Sequence, residues 1–182
     1  MTQIILNDEE KIKLTDNLSY KYYDLTRLSK DQREELEIAI IFSNYNLSIN
    51  ESLLNGYLNQ LSERSYNGNV GSIKAPGGAF EIPFFCKKVY TTYQPRLVLA
   101  LGCIIKGDTK HYDFLSSTIT NAISNLSLNL DVPIINGVLT VENNQQAIDR
   151  ACTNMNKGKE FADTTLDVLQ TINSIRESLK DK

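Results

Sequence analysis

The spacing of apolar positions along this chain changes abruptly at Ile38. Before it, residues 1–36 are polar, rich in Asp, Lys and Glu, and show only a weak helical period at Leu25, Leu28 and Leu36. This stretch reads as an extension, partly ordered at most, because it has little apolar surface to bury. Residues 37–182 read as a single domain. IAIIF, over 38–42, is a short continuous apolar run of the kind that marks a strand buried on both faces. Ser48 and Glu51 then form an S-x-x-E capping box, and Leu53, Leu54, Tyr57, Leu58 and Leu61 follow at helical spacing. The spacing predicts a helix over 49–64, stopped near Asn67 and Gly68.

The same alternation recurs three times. Residues 70–75 read as a strand and 80–93 as a helix, with Pro83 tolerated in the first turn, where its missing N–H costs nothing. Residues 97–105 form the most apolar strand, followed by a helix over 112–130 with Phe114, Leu115, Ile119, Ala122, Ile123 and Leu126 facing inward. A last strand over 132–141 precedes helices over 144–151 and about 158–179. Strands that alternate with helices imply parallel pairing with right-handed crossovers. The expected fold is α/β: a three-layer α/β/α sandwich on a four-stranded parallel sheet, with flavodoxin-like topology.

Composition narrows the function. A chain of 182 residues, 41% hydrophobic, can bury one sizeable core. Its net charge of -3 and pI near 5.3 argue against a dedicated nucleic-acid binder, which would show a basic face. Cys86, Cys103 and Cys152 are odd in number and widely spaced, with no CxxC pair, so structural zinc and a disulfide framework are both unexpected. Reduced cytosolic thiols are the default for such a set. No apolar run approaches the ~18 residues of a membrane span, and the N-terminus lacks the pattern of a signal peptide. A cytoplasmic protein without membrane or nucleic-acid partners is expected.

In an open parallel sheet, ligands gather at the loops that follow the strands, and the unusual residues of this chain fall there. Tyr45 follows the first strand and offers an aromatic face for a planar heterocycle; the alternative is a packing tyrosine. Ala79, Phe80 and Glu81 follow the second, beside a Gly-Gly turn that permits close ligand approach. Glu81 is either a polyol acceptor or a first-turn glutamate complementing its helix dipole. After the third strand, Gly107, Asp108 and Thr109 precede a helix, so their N–H groups could face an anion, or Asp108 or Thr109 could simply cap it. His111, the only histidine, is the one side chain that titrates near neutral pH without help. Arg150 is either a solvated helix arginine or the second half of a phosphate site, its guanidinium fork matching phosphate oxygens.

ALGCIIKGDTKHYD at 100–113, GAFEIP at 78–83 and GVLTVENNQQAIDRA at 137–151 together resemble the lumazine synthase family. The likeness covers roughly residues 38–178, with the motifs in family order and at agreeing spacings from Tyr45 to Arg150. It implies a similar α/β sandwich, a homopentamer, and in some members a hollow sixty-subunit shell, with riboflavin synthase as a candidate partner. The implied reaction condenses two small-molecule substrates, 5-amino-6-(D-ribitylamino)uracil and 3,4-dihydroxy-2-butanone 4-phosphate, to 6,7-dimethyl-8-ribityllumazine without metal or organic cofactor. By motif position Tyr45 would stack on the pyrimidine, while Ala79, Phe80 and Glu81 hold the ring edge and ribityl chain. Cys103, Ile104 and Ile105 would flank the pyrimidine through main-chain contacts. Asp108 and Thr109, with Arg150 from a neighbouring subunit, would hold the phosphate, and His111 would be the acid/base.

Three departures stand out. Asn136 occupies a cross-subunit site position where phenylalanine is usual. The segment after Arg150 is one residue short and has Asn154 where lysine is frequent, and the extension before Ile38 is long. An active enzyme is the first expectation. Asn136 motivates an alternative, a non-catalytic flavin- or lumazine-binding pentamer or shell. A flavodoxin-like electron carrier fits the alternation but leaves His111 and Arg150 unexplained.

Overall fold

The computed structural model describes residues 21–27, 36–152 and 155–178; the expectations attached to Leu28 and Asn154 lie outside these residues. Strands β1 (Tyr22–Asp24), β2 (Leu36–Ser43), β3 (Asn69–Ala75), β4 (Leu97–Ile105) and β5 (Ile134–Val141) form one sheet. Its order is β1-β3-β2-β4-β5 and every pairing is parallel. Helices α1 (Leu47–Glu63), α2 (Ile82–Tyr93), α3 (His111–Leu130), α4 (Asn144–Ala151) and α5 (Lys157–Ser178) connect and follow the strands. A short 3-10 turn, Ala79–Glu81, leads into α2.

The layers follow from the side-chain period of the central strands. On β2, Ile38, Ile40 and Phe42 join the core packed against α1 and α5, whereas Ala39 and Ile41 join the core under α2 and α3. Leu97, Leu99 and Leu101 of β4 face the first core, and Val98 and Ala100 the second. Each central strand is therefore apolar on both faces, which is why it reads as an unbroken hydrophobic run. The chain crosses from β2 to β3 on one side and later to β4 on the other. A switch point thus lies between β2 and β4, outside their C-terminal ends.

Several expectations need correcting. The sheet has five strands: β1 pairs with β3 through Tyr22–Val70 and Asp24–Ser72 registers. Leu25 is buried just beyond β1, and Leu36 opens β2, so their spacing is not helical. This part of the extension joins the chain's own sheet. Gly71 makes the fit possible, since a Cβ there would stand 2.3 Å from Leu25 Cδ2. The Ser48/Glu51 capping box does not set the start of α1. The helix begins at Leu47 after Asn46, which takes the left-handed conformation (φ 55°) that asparagine tolerates, and it ends at Glu63, one residue before the expected end. Phe114 is exposed, not inward, because it lies on the outer side of the first turn of α3. The last strand starts later than expected: residues 132 and 133 precede β5.

Candidate functional site

A cleft of about 420 Å³ opens at the switch point. The turn after β2 contributes Tyr45 and Asn46, and the turn after β3 contributes Gly78, Ala79, Phe80 and Glu81. The end of β4 supplies Cys103, Ile104 and Ile105, followed by Gly107, Thr109 and His111, with Tyr112 and Leu115 from α3. Three strand ends thus converge on one hollow. The residues expected from sequence meet there, except Asp108, Asn136 and Arg150.

The Tyr45 ring stands 70% exposed over this hollow. Beside it, the 78–81 turn is braced from within. Gly77 adopts φ 85°, a conformation natural to glycine, and Glu81 Oε2 accepts the Gly78 N–H at 2.8 Å. Glu81 thus braces the turn that begins its helix and also lines the cleft. The exposed Phe80 lines the same wall.

Cys103 lies at the back of the cleft, and burial pushes its thiol up to about 12. It is therefore a thiol at neutral pH and no nucleophile. Its carbonyl accepts from Asn46 Nδ2 at 2.9 Å, tying the β2 turn to β4. Asn46 was missed from sequence, although an asparagine between a strand and an amphipathic helix is a recognisable left-handed turn residue.

At the other end, the Gly107 to Thr109 turn is exposed and leads into α3. First-turn N–H groups lack intrahelical acceptors and favour an anion. Thr109 Oγ1 accepts the His111 N–H at 3.3 Å, so Thr109 steadies the helix start. His111 is the first residue of α3 rather than a loop residue, and its side chain is exposed at the cleft. Two lysines flank the turn: Lys110 is exposed at the head of α3, whereas Lys106 is engaged, its Nζ binding Glu142 Oε2 at 2.7 Å and lying 5.9 Å from the centre of the Tyr112 ring. The glutamate holds the Lys106 ammonium above its ordinary pKa. Burial does most to raise the Tyr112 hydroxyl, with Glu142 adding to it.

Asn136 and Arg150 lie elsewhere. Asn136 is exposed on β5, the edge strand, with Oδ1 accepting the Val138 N–H at 3.1 Å. Arg150 is half-buried on α4 and donates from Nη1 to the Gln146 carbonyl at 3.2 Å. Neither lines the cleft of its own chain. Among the described residues no group of His, Cys, Asp and Glu is arranged to hold a metal ion, and no helix is long and apolar enough to cross a membrane.

A family model described as 6,7-dimethyl-8-ribityllumazine synthase matches residues 35–173. A 6,7-dimethyl-8-ribityllumazine synthase of Thermococcus kodakarensis is 34% identical over 144 residues, a stretch that spans 79% of this chain and 91% of that protein.

Proposed function

The chain belongs to the 6,7-dimethyl-8-ribityllumazine synthase family, transferases of riboflavin biosynthesis, and from that premise we propose how its cleft performs the reaction. The observation that carries the reading is the meeting, in one hollow, of an exposed aromatic ring, a polar turn, the end of β4 and a histidine at a helix start. The uracil substrate stacks on Tyr45, with its ring edge against the main chain of Cys103 to Ile105 and its ribityl chain towards Ala79, Phe80 and Glu81. The butanone phosphate enters from the other end, its phosphate on the Asp108 and Thr109 turn.

The two substrates then lie with amine and ketone in register, which can be worth ~7–11 kcal/mol by removing the entropy of encounter. The amine attacks the butanone carbonyl, water leaves to give the imine, phosphate departs, and ring closure with loss of a second water gives the lumazine. Each step moves a proton, and His111 at the cleft is placed to carry it. Such acid–base help is typically ~10²–10⁴-fold, so positioning contributes more than His111 does.

Lys106 is paired with Glu142, which leaves Lys110, exposed at the head of α3, as the cation of this chain beside the phosphate turn. Arg150 and Asn136 lie on α4 and on edge strand β5, outside the cleft of their own chain, and in this reading they complete a neighbour's. This supports a homopentamer whose active sites straddle neighbouring subunits, a closed ring of heterologous contacts. The exposed rings of Phe80, Phe84 and Phe114 fit a surface that a neighbour covers. The free thiols of Cys86, Cys103 and Cys152 suit a reducing cytoplasm. The alternative, a non-catalytic flavin- or lumazine-binding shell, rests on Asn136 alone and is not favoured. Mixing the two substrates with the protein tests the reading: lumazine should form far faster than without it, and no acceleration would overturn the assignment.

A further inference from the structure

Tyr45 is too exposed for packing to fix its ring. Its place is set through the main chain. Its N–H donates to the Gly77 carbonyl at 3.0 Å and to Ser43 Oγ at 3.1 Å, and its carbonyl accepts from Asn50 Nδ2 at 2.9 Å. The same Asn50 amide donates its second hydrogen to the Ser43 carbonyl at 2.8 Å. Asn50 thus fastens both the last residue of β2 and the turn that follows, from inside the first turn of α1.

Packing does not explain this residue. Asn50 is wholly buried, and its Oδ1 is the one buried side-chain polar atom without a hydrogen-bond partner among the described residues. Rotating the amide would not help, because both partners are carbonyls and only the NH2 end can face them. Burying an unpaired amide oxygen is costly, and leucine in its place would avoid that cost. What leucine cannot supply is the pair of donors.

We propose that Asn50 is a positioning residue for the uracil substrate: by holding the carbonyls of Ser43 and Tyr45 it sets the angle at which the Tyr45 ring meets the pyrimidine. The inference rests on the stacking role proposed for Tyr45. Asn50 touches no substrate and acts only through that turn, so its influence is confined to one end of the cleft.

Asn50→Leu keeps the volume and removes both donors with the unpaired oxygen. Its KM for the ribitylaminouracil should rise about tenfold, the net worth of one hydrogen bond, while the KM for the butanone phosphate stays within about twofold. Amide hydrogen exchange at Asn44 and Tyr45 should quicken, and adding Asn50→Leu to Tyr45→Ala should raise the uracil KM no further, since the two act as one unit. If Asn50→Leu does not fold, Ser43→Ala takes its place; it loosens the same turn and should give the same one-sided rise. An unchanged uracil KM, equal rises for both substrates, or full additivity with Tyr45→Ala would overturn the proposal. A wild-type protein that forms no lumazine would sink the reaction assignment instead. The exchange rates then decide the clamp alone, with unchanged rates at Tyr45 counting against it.

Discussion

At the scale of the residue, the cleft divides into an aromatic end and an anionic end, and substitutions should separate them. Tyr45→Ala should weaken the uracil substrate and spare the phosphorylated one, whereas Tyr45→Phe should be nearly silent if the ring face is what contributes. Arg150→Ala should do the converse, because only the butanone carries an anion for the guanidinium. Equal losses for both substrates in steady-state kinetics would make either residue structural. His111→Ala should lower turnover by about one to three decades with KM nearly intact, since it removes proton transfer rather than binding. A turnover unchanged across neutral pH would remove His111 from the chemistry. The cleft residues read from sequence were those whose type is unusual for a loop: an aromatic after a strand, a lone histidine, a glutamate beside two glycines. Tyr112 and Leu115 were not legible as cleft residues, because their part depends on where a helix face points, and no spacing rule encodes that; Asn46 was legible as a turn residue but not as the donor that ties the β2 turn to β4. Asn50 was hidden for the same reason; a polar residue in a helix reads as solvent-facing until its burial is seen.

At the scale of the element, long apolar runs fixed the interior of the fold, and short or polar segments escaped. The strand expected over 97–105 and the helix over 144–151 coincide with β4 and α4, since one is unbroken hydrophobic sequence and the other has a clear asparagine cap. Strand β1 is only Tyr22–Asp24, too short for any periodicity, and it is held by what lies against it. Tyr22 Oη pairs with Ser72 Oγ, Tyr93 Oη donates to the Leu25 carbonyl at 2.7 Å, and Leu25 fills the space over Gly71. Leu25→Ala should therefore cost ~2–4 kcal/mol in urea unfolding, the usual loss for a buried leucine. A change below ~0.5 kcal/mol, the range of surface substitutions, would show that β1 contributes little to the folded chain.

At the scale of the whole molecule, the cleft sits at the centre of one sheet end while Arg150 and Asn136 lie towards the β5 side. Neither residue lines the cleft of its own chain, which is what the proposed shared site turns on. The protein should sediment as a pentamer or a multiple of five, and a fully active monomer would exclude the shared site. The residues themselves made the site's parts visible, but the expected division between neighbours came from the family resemblance alone, because a pattern along one chain does not record which parts belong to which neighbour. The central claim is that each active cleft takes His111 from one subunit and Arg150 from the next. Co-assembling His111→Ala chains with Arg150→Ala chains tests it most directly, with lumazine formation measured at butanone phosphate below its KM. Random mixing restores about a quarter of the clefts, those with an intact residue on each side, so activity should climb well above that of either variant alone. A mixture no more active than the average of the two variants would contradict the claim.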